Sequence, residues 1–169
     1  IIRLIIELDC QAKIQGGRVI SILGNHELYP YYFINDTARF EKNYVKKADS
    51  IQIKSIFNVS RSNFYRPGGP GGKLFARTRP LLLKIGDVLF VHGSITNKLI
   101  NYSMSNGYVD IEKINKEVSL WLYGAGKIPK YLEDTSDDNP LFSRTYSDLL
   151  DYDKKTCDSI KKQISKFKG

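Results

Sequence analysis

Three side chains in this sequence could do metal or proton chemistry at short range. Asn25 and His26 are adjacent in SILGNHELYP (21–30), and His92 lies in LFVHGS (89–94). The chain has only two histidines, and both follow one local plan: an aliphatic run passes almost directly into His, with glycine close by. Imidazole serves as a metal ligand or as a proton donor near neutral pH. Glycine beside a strand end lets the backbone turn sharply and lets a ligand approach closely. The Asn amide oxygen is a neutral, hard donor that can hold a metal without adding negative charge. Each residue alone has a plainer role, a hydrogen-bonded structural His or a turn-forming Asn after Gly. The repeated pattern favours chemistry.

The elements that must present these groups can be read from the pattern. RVISILG (18–24) is a short β-branched apolar run behind Gly16 and Gly17, and predicts a buried strand in an αβ connection. GNHE then lies at its carboxyl end, where layered α/β sheets collect catalytic groups. LLLKIGDVLFVHGSI (81–95) predicts a hairpin turning at Gly86-Asp87, with His92 at the end of its second strand. Helices are expected over 1–15, stopped by the paired glycines, over 39–55, over 110–124 between an Asp110 cap and a Gly124 stop, and over 153–167. RSNFYRPGGPGGKLFARTRP (61–80), rich in Gly, Pro and Arg, reads as a loop. TSDDNPLFSRTYSD (135–148) reads as turns around an apolar knot. This order predicts a layered α/β fold in a single domain, residues 1–169.

Composition narrows the function classes. With 41% hydrophobic and 26% charged residues, the 169-residue chain has the makeup of a folded globular protein, which excludes general disorder. The net charge of +8 suits an anionic partner. Its lysines are nevertheless scattered along helical faces such as KKTCDSIKKQISKFKG (154–169), a solvated pattern that disfavours nucleic acid. Cys10 and Cys157 lack the spacing of a zinc site or disulfide framework and read as reduced thiols. No apolar run reaches the roughly 18 residues a membrane span needs, and no signal-peptide pattern occurs. These features predict a soluble, cytoplasmic protein without a membrane partner. The abundance of Ile, Lys, Asn and Tyr points to an AT-rich genome, of a protist, bacterium or large virus.

GNHE after an aliphatic run, with LFVHGSI downstream, resembles the third and fourth signature blocks of the calcineurin-like metallophosphoesterases, within them the phosphoprotein phosphatases. QAKIQGGRVISILGNHEL, then FYRPGG before GDVLFVHG, is closest to the Shewanella-like branch. The resemblance runs from residue 1 to about residue 147. It implies a two-sheet αββα sandwich, present in part, and two divalent metal ions (Mn, Fe or Zn) that clamp a phosphate and activate a water. Asn25 and His92 would ligate one metal, and His26 would protonate the leaving alkoxide as general acid. Glu27 completes the block, either as an orienting group or as an acid in a helix first turn. Arg144, in PLFSRTY, resembles the arginine that grips the substrate phosphate, a task suited to a guanidinium fork. Arg66, Arg77 and Arg79 could also face an anion. The implied substrate is a phosphorylated protein or a small phosphoester.

The sequence also departs from the family pattern. The Asp-x-His and Gly-Asp-x-x-Asp-Arg-Gly blocks and a further downstream His are absent, so about half of one site is present. The Met-less start within a helical pattern predicts the middle of a longer phosphatase. The alternatives are a nucleotide or dinucleoside polyphosphate hydrolase of the same superfamily, and a phosphate-binding remnant without turnover. Two protein ligands cannot hold a catalytic metal tightly, so hydrolysis by this chain alone is not expected.

Overall fold

The computed structural model describes residues 2–33, 45–147 and 154–168. Helix α1 (Ile2–Ile14) ends as expected, with Gly16 at a φ of 75° and the Gly17 N–H returning to the Ala12 carbonyl at 2.9 Å. A left-handed residue at a helix end is where glycine has no steric penalty. The apolar side chains of α1 are only partly covered: Ile2, Ile5 and Ile6 are half-buried, Ile2 against the core, whereas Leu4, Leu8 and Ile14 are exposed.

The strand expected over 18–24 does not form. The Val19 N–H donates to Asp9 Oδ1 at 3.0 Å, the Leu23 N–H donates to the Pro80 carbonyl at 2.9 Å, and no strand among the described residues pairs with this run. A β-branched run becomes a strand only where a neighbour supplies the ladder. Helix α2 (Asn25–Tyr32) follows directly. The helix expected over 39–55 lies partly outside the described residues; α3 covers Lys47–Phe57 and stops at Asn58 in the left-handed region.

The loop expected over 61–80 is instead two helices, α4 (Arg61–Tyr65) and α5 (Pro70–Thr78). Ser60 Oγ caps the first by accepting from the Asn63 N–H at 3.2 Å. Pro70 opens the second, where its fixed φ suits a first turn and its missing N–H costs nothing. The glycines here serve close packing. A Cβ on Gly72 would meet the Arg66 carbonyl at 2.5 Å and the Leu122 carbonyl at 2.9 Å, and one on Gly71 would meet the Phe64 ring at 2.4 Å.

The hairpin turns at Gly86-Asp87 as expected but is short: β1 (Leu83–Ile85) pairs antiparallel with β2 (Val88–Phe90), Leu83 opposite Phe90, with Gly86 at a φ of 56°, and His92 lies in the loop beyond β2 rather than at its end. After α6 (Asn97–Ser103) come β3 (Met104–Ser105) and β4 (Tyr108–Asp110). Helix α7 (Ile111–Tyr123) matches its expected bounds, with Asp110 accepting from the Lys113 N–H and Gly124 left-handed at a φ of 90°. A 3-10 turn spans Lys130–Leu132. The terminal helix α8 (Lys154–Ile164) stops short of 167, because Phe167 joins β5 (Phe167–Lys168), which pairs parallel with β4 and buries its ring.

The fold is thus mixed α/β with small sheets. One apolar cluster joins Leu28 of α2, Phe75 of α5, Leu81 and Leu82, Trp121 of α7 and Leu141. A fully buried Leu or Phe contributes about 1.5–3 kcal/mol. Asn115 ties α7 to the start of the hairpin: its Oδ1 accepts from the Leu81 and Leu82 N–H groups at 2.9 and 3.1 Å, and its Nδ2 donates to the Leu82 carbonyl at 2.8 Å.

Candidate functional site

The first turn of α2 carries Asn25 and His26, and Glu27 locks it. Glu27 Oε2 accepts from the Gly24 N–H at 2.9 Å, closing the turn in the manner of a capping box. Its Oε1 accepts from Arg79 Nη1 at 2.6 Å, and both side chains are largely sequestered, at 19% and 9% exposure. The Arg79 guanidinium also sits 4.9 Å from the Phe75 ring centroid. Glu27 is therefore an acid in a helix first turn, held through both of its oxygens. His26 is exposed beyond this turn, with its ring edge-on to Tyr29 at 4.9 Å.

His92 arrives from β2. Its Nε2 lies 3.1 Å from Asn25 Oδ1, so the hairpin and α2 bring together the two residues expected to share a metal. Gly24 makes this approach possible. A Cβ there would meet Glu27 Oε2 at 2.9 Å and two atoms of the His92 ring at 3.3 Å.

A third segment braces the His92 loop. The Gly93 and Ser94 N–H groups both donate to the Pro140 carbonyl at 3.2 Å. A Cβ on Gly93 would lie 2.6 Å from that oxygen and 2.7 Å from the Ser143 carbonyl. The knot at 139–143 is organised by the fully buried Asn139, which accepts from the Leu141 N–H at 2.9 Å and donates to the Asp134 carbonyl at 2.6 Å. Phe142 meets Tyr29 and Tyr32 of α2 edge-on, at 5.2 and 5.4 Å. Arg144, exposed, follows Ser143, so the backbone that braces His92 also carries it.

Nearby charges are set by local partners. Lys98 and the hydroxyl and N–H of Ser136 hold the Asp134 carboxyl down at about 2, which fixes the turn leading to Asn139. Burial pushes the Tyr32 hydroxyl well above its ordinary value; that hydroxyl donates to the Leu132 carbonyl. Among the arginines considered from sequence, Arg77 lies over the Tyr123 ring at 5.5 Å, whereas the anion facing Arg79 is Glu27. Neither the Arg79 clamp nor the Asn139 hub follows a sequence motif. The Asn-Pro turn signal at 139–140 is the only trace of the second.

The donor set can be tested against a metal. Adjacent donors each about 2.1 Å from one ion at right angles stand about 3 Å apart, and Asn25 and His92 meet at 3.1 Å. The contact is a hydrogen bond with Nε2–H donating to Oδ1; with that proton displaced, the pair fits two cis positions of a divalent ion. Among the described residues no group of three or more His, Cys, Asp or Glu is placed to hold a metal, so the pair supplies only part of a coordination sphere.

Compared with known proteins, the chain is similar to an uncharacterized protein of Acanthamoeba polyphaga mimivirus. The two are 28% identical over 174 residues, covering 94% of this chain and 68% of the viral one. No family profile matches the chain, and no solved structure does. Among the described residues no helix is long and apolar enough to cross a membrane.

Proposed function

We propose that this chain carries the Asn-His half of a metallophosphoesterase site, and that the polypeptide containing it is a phosphoprotein phosphatase cleaving phosphate monoesters. The observation that carries the reading is the 3.1 Å meeting of Asn25 and His92 across 67 positions of sequence, beside an exposed imidazole. The GNHE and VHGS resemblance supports it, and with it the αββα sandwich, of which α2 and the hairpin would be one edge. A divalent metal pair, when bound, polarises the phosphoryl oxygens and lowers the pKa of a bound water. Asn25 Oδ1 and His92 Nε2 would hold one ion of that pair. His26, turned to solvent on the same first turn, would give its ring proton to the departing oxygen of the substrate. Arg144 would bind a phosphate oxygen through its guanidinium.

Replacing His26 tests the reading. In the natural polypeptide supplied with Mn²⁺, His26→Ala is expected to lower kcat on a phosphoserine peptide by about 10²–10⁴, with Mn²⁺ binding retained. An unchanged kcat would remove the general-acid role. The second reading is a phosphate-binding module without turnover, in which the exposed Arg144 beside the His92 loop would hold the anion. Such a module would keep its phosphopeptide affinity in the presence of chelator and show no hydrolysis.

A further inference from the structure

We propose that Arg79 is a positioning residue for the Asn25–His26 turn, acting through Glu27 rather than on substrate. The inference rests on the phosphatase reading for its catalytic consequence, but the clamp itself stands on geometry. Both Glu27 oxygens are used, one by the Gly24 N–H at 2.9 Å and one by Arg79 Nη1 at 2.6 Å. The guanidinium is nearly buried, at 9% exposure, and is held against the Phe75 ring. Phe75 is itself fully buried in the core. A rigid chain of contacts thus runs from the core through Phe75, Arg79 and Glu27 to the backbone N–H immediately ahead of Asn25.

Charge-assisted hydrogen bonds of this kind are about twice as strong as neutral ones. Losing one partner of a shielded pair also leaves the other charge uncompensated. With Arg79 gone, Glu27 would turn toward solvent and release the Gly24 N–H. Asn25 Oδ1 would then lose its fixed position against His92 Nε2. Lysine cannot reproduce the stacked planar fork, so Arg79→Lys should rescue only in part.

The test uses the chain as it stands, with NMR as the primary readout and Arg79→Met, Arg79→Lys and Glu27→Gln as variants. The Gly24 amide should exchange about tenfold faster in Arg79→Met, the scale expected for loss of one hydrogen bond to a charged group. The His92 Nε2 shift should move toward that of an Asn25→Ala control. Arg79→Lys should fall between Met and wild type. The double variant Arg79→Met with Glu27→Gln should be no worse than the more affected single variant, because the two act as one unit. Mn²⁺ affinity should weaken roughly tenfold in the same order. Unchanged Gly24 exchange and an unchanged His92 shift in a folded Arg79→Met protein would overturn the proposal. If that variant does not fold, Glu27→Gln decides by the same two signals. A wild-type chain whose Asn25 and His92 signals do not respond even weakly to excess Mn²⁺, but whose Gly24 and His92 signals respond to Arg79→Met, would refute the metal reading and leave the clamp established.

Discussion

Gly24 shows how much of the site depends on one missing methyl group. Its φ of −115° is open to any residue, so the demand for glycine comes from its neighbours. A Cβ would press on Glu27 Oε2 at 2.9 Å and on the His92 ring at 3.3 Å. Gly24→Ala is therefore expected to destabilise the protein by about 1–3 kcal/mol through overpacking, and to break the Asn25–His92 contact. Thermal unfolding and the His92 Nε2 shift measure the two effects, and a variant unchanged in both would contradict this account of the turn. At this scale the residue types and flanking glycines single out Asn25, His26 and His92, and the fold places Asn25 beside His92, although no strand precedes Asn25. Arg79 was named only as one of several arginines that could face an anion. Its partner is 52 positions away, and no spacing rule links an arginine at the end of α5 to a carboxylate in the first turn of α2.

Among the elements, those with local stop and start chemistry formed where the sequence placed them. The Gly86-Asp87 hairpin and the Asp110-to-Gly124 bounds of α7 are fixed by groups within a few residues of each boundary. The reading of 61–80 as a loop failed because glycine and proline usually mark irregular chain, whereas here Pro70 begins a helix and Gly71 and Gly72 let it approach Phe64 and Leu122. The strand expected over 18–24 needed a partner that local sequence cannot supply. Between elements, Asn115 is the most consequential contact, since it serves two adjacent N–H groups on buried leucines. Asn115→Ala leaves the Leu81 and Leu82 N–H groups without their acceptor. An unsatisfied buried group costs about 1–3 kcal/mol, so the variant should lose about 2 kcal/mol or more in urea denaturation. A loss below about 0.5 kcal/mol, the range of ordinary surface substitutions, would show that this link does not bear on stability.

Over the whole molecule, the candidate site is a product of tertiary convergence. Helix α2, the loop after β2 and the knot at 139–143 meet at one corner, and the mixed α/β class was legible in the element order while this meeting was not. Apolar side chains remain at the surface elsewhere, including Ile14, Val19 and Ile20 near α1 and Val88 and Phe90 on the hairpin. Where such apolar surface is contiguous it carries an aggregation liability. A metal held by Asn25 and His92 would join residues 67 positions apart and so stabilise the fold as it binds. The measurement that bears most directly on the central claim is an NMR titration of the chain with Mn²⁺, whose unpaired electrons broaden nearby signals. The account predicts that Gly24 to His26 and His92 to Gly93 broaden first, that chelator restores them, and that Asn25→Ala and His92→Ala each abolish the effect. Broadening confined to carboxylates elsewhere, with residues 24–26 and 92–93 untouched, would contradict it.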